Sequence, residues 1–281
     1  MPIRLEPQPS LKDLFTASAR AGRNGRPAAG LFISSGDPSS TEICASAGLD
    51  YLLLDGEHAP LGLETVQSQL RAMAGYPVVP VVRVPALDTV LVKQYLDLGA
   101  QSLVIPMVDG AGDAEAAVRA MHYPPHGVRG VGSALARSAR WNRIPDYLDR
   151  AADLVTLVVQ IESAAAVEEA RQIAAVDGID GIFIGPSDLA ASMGLIGRQD
   201  HPDVVAAVKT VIGRVKAAGK FVGVNAFAAD RARDYVAAGA DFVNVGADVA
   251  LLARATEALA DAWCAPAGED QGPGTAPRGS Y

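Results

Sequence analysis

The chain has 281 residues, with 24 lysines and arginines against 32 aspartates and glutamates, so its formal charge of −8 offers nucleic acid no basic surface. Apolar residues make up 49% and charged residues 20%, a composition that fills a large core and excludes wholesale disorder. No apolar run approaches the roughly twenty residues of a membrane span, no secretory leader is visible, and Cys44 and Cys264 show no ligand spacing. The expectation is a soluble protein of the reducing cytoplasm, without nucleic-acid or membrane partners.

Residues 1–27 read as an N-terminal helical extension with one amphipathic segment, Leu11 to Ala21, entered at Ser10, a good N-cap. From there short apolar runs of strand type recur: Ala29–Ile33, Tyr51–Leu54, Val78–Val82, Ser102–Ile105, Leu157–Gln160, Gly181–Ile184, Phe221–Val224 and Phe242–Val245. Ala-, Leu- and Glu-rich stretches of helical spacing lie between them, among them Thr41–Ala47, Leu63–Ala74, Leu87–Leu98, Asp113–Met121, Ala166–Ala174, Pro202–Ala218 and Ala229–Ala238. Gly48, Gly75, Gly99, Gly219 and Gly239 close several of these helices, where a left-handed cap turns the chain toward the next strand. Eight strands alternating with helices over residues 28–264 predict an α/β fold, a (β/α)8 TIM barrel. A doubly wound sheet fits less well, because no G-x-G-x-x-G follows the first strand. One stretch, 123–153, is longer than an ordinary connection and reads as a lid over the barrel mouth or an oligomer contact. A C-terminal helix, Leu251–Trp263, precedes a Gly- and Pro-rich tail, 265–281, expected to be disordered.

The chemistry gathers where strands end, which in a barrel is a ring around one mouth. The second strand runs Tyr51-Leu52-Leu53-Leu54 and stops at Asp55, Glu57 and His58. The third ends at Arg83, the fifth at Gln160 and Glu162, the sixth at Ser187 and Asp188, the seventh at Asn225, and the eighth at Asp248. Glu162 and Asp188, from adjacent strands, are hard oxygen ligands suited to Mg2+ or Mn2+, with Co2+ a further option. The competing reading pairs each with an arginine, or makes Asp188 a helix cap. His58 is the histidine at a strand end and can take a proton near neutral pH, so it is the candidate base. His122, His126 and His201 read as solvent-facing. Arg83 offers a planar fork to a carboxylate or a developing oxyanion, with a structural ion pair as the alternative. None of Lys12, Lys93, Lys209, Lys216 and Lys220 ends a predicted strand, so a Schiff-base mechanism lacks its nucleophile and a Lewis-acid metal takes its place.

Several motifs together carry a resemblance from about Leu11 to Trp263. They are Leu54-Asp55-Gly56-Glu57-His58-Ala59-Pro60, Pro80-Val81-Val82-Arg83, Tyr123-Pro124-Pro125-His126-Gly127-Val128-Arg129-Gly130, the run from Ser138 to Tyr147, Gln160-Ile161-Glu162, and Ile184-Gly185-Pro186-Ser187-Asp188-Leu189. The chain resembles the HpcH/HpaI aldolase family, the class II metal-dependent pyruvate aldolases. The resemblance implies His58 as general base, with its basicity raised by Asp97, and Arg83 as the stabiliser of the transition state. It implies Glu162 and Asp188 as metal ligands, with Gln160 and Ser187 touching substrate. Asp55 and Glu57 then take supporting hydrogen-bonding roles. The implied reaction is reversible cleavage of a 4-hydroxy-2-keto acid to pyruvate and an aldehyde through a pyruvate enolate. The implied assembly is a homo-oligomer, a hexamer built as a trimer of dimers, with the mouth closed partly by a neighbour. The Arg137–Arg143 patch and the C-terminal helix are the expected contact surfaces. Asn225 departs from an aliphatic family segment and Ser187 from a common alanine, which leaves the acceptor aldehyde open. Cleavage of 2-keto-3-deoxy sugar acids, decarboxylating carbon–carbon bond formation from oxaloacetate, and a non-catalytic keto-acid-binding barrel are the rival readings.

Overall fold

The computed structural model describes residues 5–264. Eight parallel strands close into a barrel in sequence order, with the first paired to the last. They are β1 (Ala28–Ile33), β2 (Tyr51–Asp55), β3 (Val79–Arg83), β4 (Ser102–Ile105), β5 (Thr156–Ile161), β6 (Gly181–Ile184), β7 (Phe221–Asn225) and β8 (Phe242–Ala247). β4 and β6 have the predicted bounds, and the others differ by a residue or two at their ends.

The strands are apolar over most of their length because both faces are covered, as parallel sheets require, with polar residues mainly at their ends. Their pleat sorts side chains into two cores. One parity, including Leu52, Leu54, Val82, Leu103, Ile105, Val159 and Ile161, packs outward against the helices. The other, including Phe32, Tyr51, Leu53, Val81, Val104, Val158, Phe183 and Phe242, fills the barrel. Continued to the strand ends, that inward parity delivers Asp55, Arg83, Gln160 and Asn225 to the mouth. It reaches Glu162 one step past β5.

The outer layer holds α2 (Pro38–Ala45), α3 (Leu63–Ala72), α4 (Thr89–Asp97), α5 (Ala111–Met121), α7 (Ala164–Ala175), α8 (Pro186–Ser192), α9 (Pro202–Ala217) and α10 (Ala229–Ala237). The N-terminal segment is not one helix but two pieces, a 3-10 turn (Leu11–Phe15) and α1 (Ala17–Gly22). Thr16 breaks it, with an extended ψ of 153° and a hydroxyl that accepts the Ala19 amide as a helix cap. The 3-10 turn plugs the barrel floor: the Leu11 amide donates to Ser102 Oγ at 2.8 Å and the Lys12 amide to Thr156 Oγ1 at 3.2 Å. Those hydroxyls start β4 and β5, and the contacts satisfy polar groups that the apolar interior would otherwise strand. Gly48, Gly99, Gly219 and Gly239 take the left-handed caps expected of them, whereas Gly75 ends a 3-10 turn, Met73–Gly75.

The 123–153 stretch follows α5, so it lies at the floor of the barrel and cannot be a lid over its own mouth. It carries α6 (Tyr147–Arg150) and a small core of Ala139, Ile144, Tyr147 and Ala151. Arg137 is not part of an exposed patch; it is buried and donates to the Leu98 carbonyl at 3.0 Å. Trp141 and Arg143 remain exposed.

The last helix, α11 (Asp248–Cys264), buries only its first residue, and Leu251, Leu252, Leu259 and Trp263 are exposed. Among the described residues no helix is long and apolar enough to cross a membrane. The tail expected to be disordered, 265–281, lies outside the described residues.

Candidate active site

The mouth opens into a cavity of about 590 Å3 lined by Phe32, Ser34, Asp55, His58, Arg83, Gln160, Phe183, Gly185, Ser187, Asp188, Asn225, Phe227 and Ala247. Of the residues singled out for chemistry in the sequence, Asp55, His58, Arg83, Gln160, Ser187, Asp188 and Asn225 lie on this wall, whereas Glu57, Glu162, Asp97 and Asp248 do not.

Arg83 organises one side. Its Nε and Nη2 meet Asp55 Oδ1 and Oδ2 at 2.9 and 2.8 Å, a bidentate pair, and its Nη1 lies 2.9 Å from Glu57 Oε2 and 3.5 Å from Gln160 Oε1. The guanidinium carbon sits 4.8 Å over the Phe32 ring. Asp55 also accepts the Glu57 and His58 amides, at 3.1 and 3.3 Å, which folds the chain tightly after β2. Gly56 is required there, since a Cβ would stand 2.7 Å from the Arg83 carbonyl. The structural pairing and the chemical role of Arg83 are thus compatible: one edge of the fork is anchored, and the other faces the cavity. Burial, opposed by Arg83, pushes the Glu57 carboxyl up to about 7. The His58 side chain is 60% exposed and its Nε2 is 3.7 Å from Glu57 Oε2, so the imidazole stands at the rim, free to meet a ligand.

Glu162 organises the other side. It is 2% exposed, and its hydrogen-bond partners are neutral: the Met107 amide reaches Oε1 at 2.8 Å and the Gln160 side-chain amide donates to Oε2. Burial and the nearby Asp188 carboxylate raise its pKa. Met107 adopts a left-handed φ of 54° as it presents that amide, a backbone position that methionine rarely takes. Gly185 leaves the room: a Cβ there would lie 2.9 Å from Glu162 Oε2 and 3.1 Å from Gln160 Nε2. Asp188 stands in the first turn of α8, whose N-cap is Gly185, and makes no capping bond. No lysine, arginine or histidine side chain among the described residues forms an ion pair with Glu162 or Asp188. Two neighbouring carboxylates left without a cationic partner fit a hard divalent cation, with further positions open to water or substrate oxygens.

Asp97 is elsewhere. It is the last residue of α4, on the floor side, and its Oδ1 pairs with Arg129 Nη2 at 2.9 Å. Within one chain it does not meet His58, as the implied role requires, and is instead the partner of a guanidinium only 1% exposed. Asp248 is likewise structural, accepting the Ser34 and Ser35 amides at 2.8 and 3.2 Å. No lysine lines the cavity; Lys12 and Lys220 donate to the floor carbonyls of Val155 and Ile179. Sequence reasoning missed Ser34, Phe32 and Phe183 on the wall. The inward parity of the two aromatics was a usable signal, whereas nothing in the sequence announces the Met107 amide.

Known proteins share this architecture and much of its sequence. A hydroxypyruvate/pyruvate aldolase of Deinococcus radiodurans is 51% identical over 255 residues, covering 90% of this chain and 92% of the relative. A 4-hydroxy-2-oxo-heptane-1,7-dioate aldolase of Salmonella dublin is 51% identical over 250 residues, covering 89% and 94%. The crystal structure of a HpcH/HpaI aldolase/citrate lyase family protein from Burkholderia cenocepacia superposes with a TM-score of 0.82 at 43% identity, covering 89% of this chain and all of that one. The family model for HpcH/HpaI aldolase/citrate lyase matches residues 28–255, from the first strand into the last helix, and the chain belongs to that family.

Proposed function

We propose that the chain is a metal-dependent aldolase that reversibly cleaves a 4-hydroxy-2-keto acid to pyruvate and an aldehyde. The observation that carries this reading is the gathering of two half-sites at one cavity: Glu162 and Asp188, which have no cationic partner among the described residues, and the anchored Arg83 with His58. Glu162 and Asp188 would hold Mg2+ or Mn2+, or Co2+. Such a cation, when bound, polarises the keto group of the substrate.

The chain's own groups do the rest. Arg83 and Gln160 line the cavity, where a guanidinium N–H would meet a keto-acid oxygen that gains charge as the reaction proceeds, while the Gln160 amide holds Glu162. Ser187 adds a hydroxyl beside Asp188. His58 accepts the proton of the C4 hydroxyl; the C3–C4 bond breaks, its electron pair stays with the three-carbon fragment as the enolate of pyruvate, and the aldehyde leaves. Protonation of the enolate carbon completes pyruvate, and the reverse sequence forms the bond. Asp97 enters this scheme only as a residue of a second copy, which agrees with a homo-oligomer whose subunits close one another's mouths. The uncovered face of α11 supports such an assembly, a hexamer in the proposal.

The names of the relatives at 51% identity support the aldolase class, and the wall contains no lysine for a Schiff base. Activity on a 4-hydroxy-2-keto acid should vanish with a strong chelator and return with Mg2+ or Mn2+. Borohydride added with substrate should leave it intact. Inactivation by borohydride together with indifference to chelation would overturn the proposal.

A further inference from the structure

The ion pair on the barrel floor leaves one carboxylate oxygen unused. Its arginine rises from a clamped turn: the Val128 amide donates to the Arg119 carbonyl at 2.8 Å and the Arg129 amide to the His122 carbonyl at 2.9 Å, around the end of α5. Gly127 closes the clamp, since a Cβ on it would collide with both of those carbonyl oxygens. The buried guanidinium lies 4.5 Å over the Tyr123 ring and reaches the Tyr147 hydroxyl at 3.5 Å, so it meets Asp97 from a fixed place. The contact is end-on. Nη2 takes Oδ1 at 2.9 Å, and Oδ2 has no hydrogen-bond partner among the described residues. The Arg83–Asp55 pair, which serves its own chain, engages both oxygens and is buried, whereas the Asp97 side chain is 27% exposed. The segment that carries Arg129 also exposes Val131, Leu135 and Trp141, large apolar side chains of the kind that mark a contact face.

The mouth shows the converse. Neither ring nitrogen of His58 has a hydrogen-bond partner among the described residues of its own chain, and the approach to Glu57 is 3.7 Å. An imidazole that accepts a proton at one nitrogen is held in the right tautomer when a carboxylate takes the N–H of the other. We infer that Arg129 is a positioning residue for the reaction: it grips Asp97 by Oδ1 so that Oδ2 meets the His58 imidazole of a second copy. Without that grip the carboxylate would turn among its rotamers and be met by water. The inference rests on the aldolase reading, in which Asp97 belongs to a second copy, and adds the residue that aims it.

The test is kcat for cleavage of 4-hydroxy-2-oxopentanoate with Mn2+, measured well below the melting temperature of each variant. Arg129→Met should lower kcat about tenfold, the worth of one hydrogen bond, with KM unchanged. In the Asp97→Asn background it should lower kcat no further, because the carboxylate it aims is gone. A merely structural arginine would act alike in both backgrounds. A kcat untouched by Arg129→Met, or a loss repeated in full on top of Asp97→Asn, overturns the inference. If Arg129→Met does not fold, Arg129→Gln, polar but uncharged, goes through the same two backgrounds and is judged in the same way.

Mixed oligomers separate the inference from the reading beneath it. Copies carrying His58→Ala and copies carrying Asp97→Asn are produced together with different tags and isolated on both. Sites that join the intact His58 of one copy to the intact Asp97 of the other should give more activity than the two parent variants combined. No gain defeats the two-copy reading and the inference with it, whereas a gain beside an additive Arg129→Met effect defeats only the role given to Arg129. Exchange of pyruvate methyl protons in D2O with Mg2+ is measured first on the unmodified protein, and its absence defeats the aldolase assignment itself.

Discussion

Arg83 and Asp55 share two parallel contacts, Nε to Oδ1 at 2.9 Å and Nη2 to Oδ2 at 2.8 Å, at positions paired across β3 and β2. Both side chains are buried, and the pair fixes the plane of the guanidinium so that its remaining edge faces Glu57, Gln160 and the cavity. Removing one partner of a buried pair strands the other. Asp55→Ala should therefore destabilise the protein by about 3 kcal/mol, read as a lower midpoint in urea. Arg83→Lys keeps the charge but loses the fork, so it should retain most of the stability while cleavage falls by about 100-fold or more. Unchanged activity in Arg83→Lys would show that charge alone suffices.

His58 contrasts with that pair. Its side chain is 60% exposed and its contact with Glu57, at 3.7 Å, is loose. His58→Ala should leave the melting temperature within about 2 °C of the original, because exposed truncations seldom move stability by more than ~0.5 kcal/mol. Cleavage should fall by roughly 10^2 to 10^4, the usual worth of a positioned base. A variant that melts much lower, or one that keeps its rate, would contradict the assignment of His58 as base.

Much of this was legible in the sequence because a barrel turns strand ends into neighbours. Short apolar runs that stop at Asp55, Arg83, Gln160 and Asn225 already named the mouth, and period-two parity extends the series to Glu162. Helix-ending glycines such as Gly99 marked the returns between strands. The long-range partners were not legible. Nothing local says that Arg129 crosses to Asp97, that Met107 turns left-handed toward Glu162, or that residues 123–153 fold against the floor. Such facts arise from packing between distant segments, where no spacing rule applies. The break at Thr16 was more accessible, since a threonine three residues before an available amide is an N-cap signal.

Asp97 tests the floor. It is the carboxylate that compensates Arg129, whose guanidinium is packed over the Tyr123 ring at 4.5 Å and 3.5 Å from the Tyr147 hydroxyl. Asp97→Asn should cost on the order of 2–3 kcal/mol, because a buried cation loses its counter-charge. Arg129→Met should cost less, since Asp97 is partly exposed and can be hydrated. Chemical denaturation of the two variants side by side reads the order. The reverse order would mean that packing of the arginine stem, not its charge, dominates.

Glu57 sets a pH dependence with a definite sign. Its folded-state pKa, about 7, lies above the ordinary 4.5, so the folded protein binds the proton more tightly than the unfolded chain. The associated stability is fully present below about pH 4.5 and is lost as pH rises through about 7. In metal-free protein, stability measured by urea at intervals from pH 5 to 8 should thus fall by on the order of 2 kcal/mol relative to Glu57→Gln, which carries no such proton. A difference between the two that grows in the opposite direction would mean that Arg83, not burial, governs this carboxyl.

Glu162 and Asp188 give the remaining prediction, because a cation that binds only the folded site stabilises it by mass action. At one hundred times its dissociation constant the gain is about 2.7 kcal/mol, which for a chain of this size raises the melting temperature by several degrees. Mn2+ or Mg2+ should therefore shift the unmodified protein upward, and chelation should reverse the shift. Glu162→Gln replaces a buried carboxylate, whose charge burial disfavours, with a neutral amide of the same shape. Without metal it should melt no lower than the original, provided the new amide finds a partner near Gln160. With metal it should show little of the shift. Asp188→Asn, at an exposed position, should leave the metal-free stability unchanged and likewise weaken the response. The combination matters: loss of the metal response without loss of metal-free stability is what two ligands produce. Two carboxylates serving only to hold the fold would instead lower both curves, and the cation assignment would then fail.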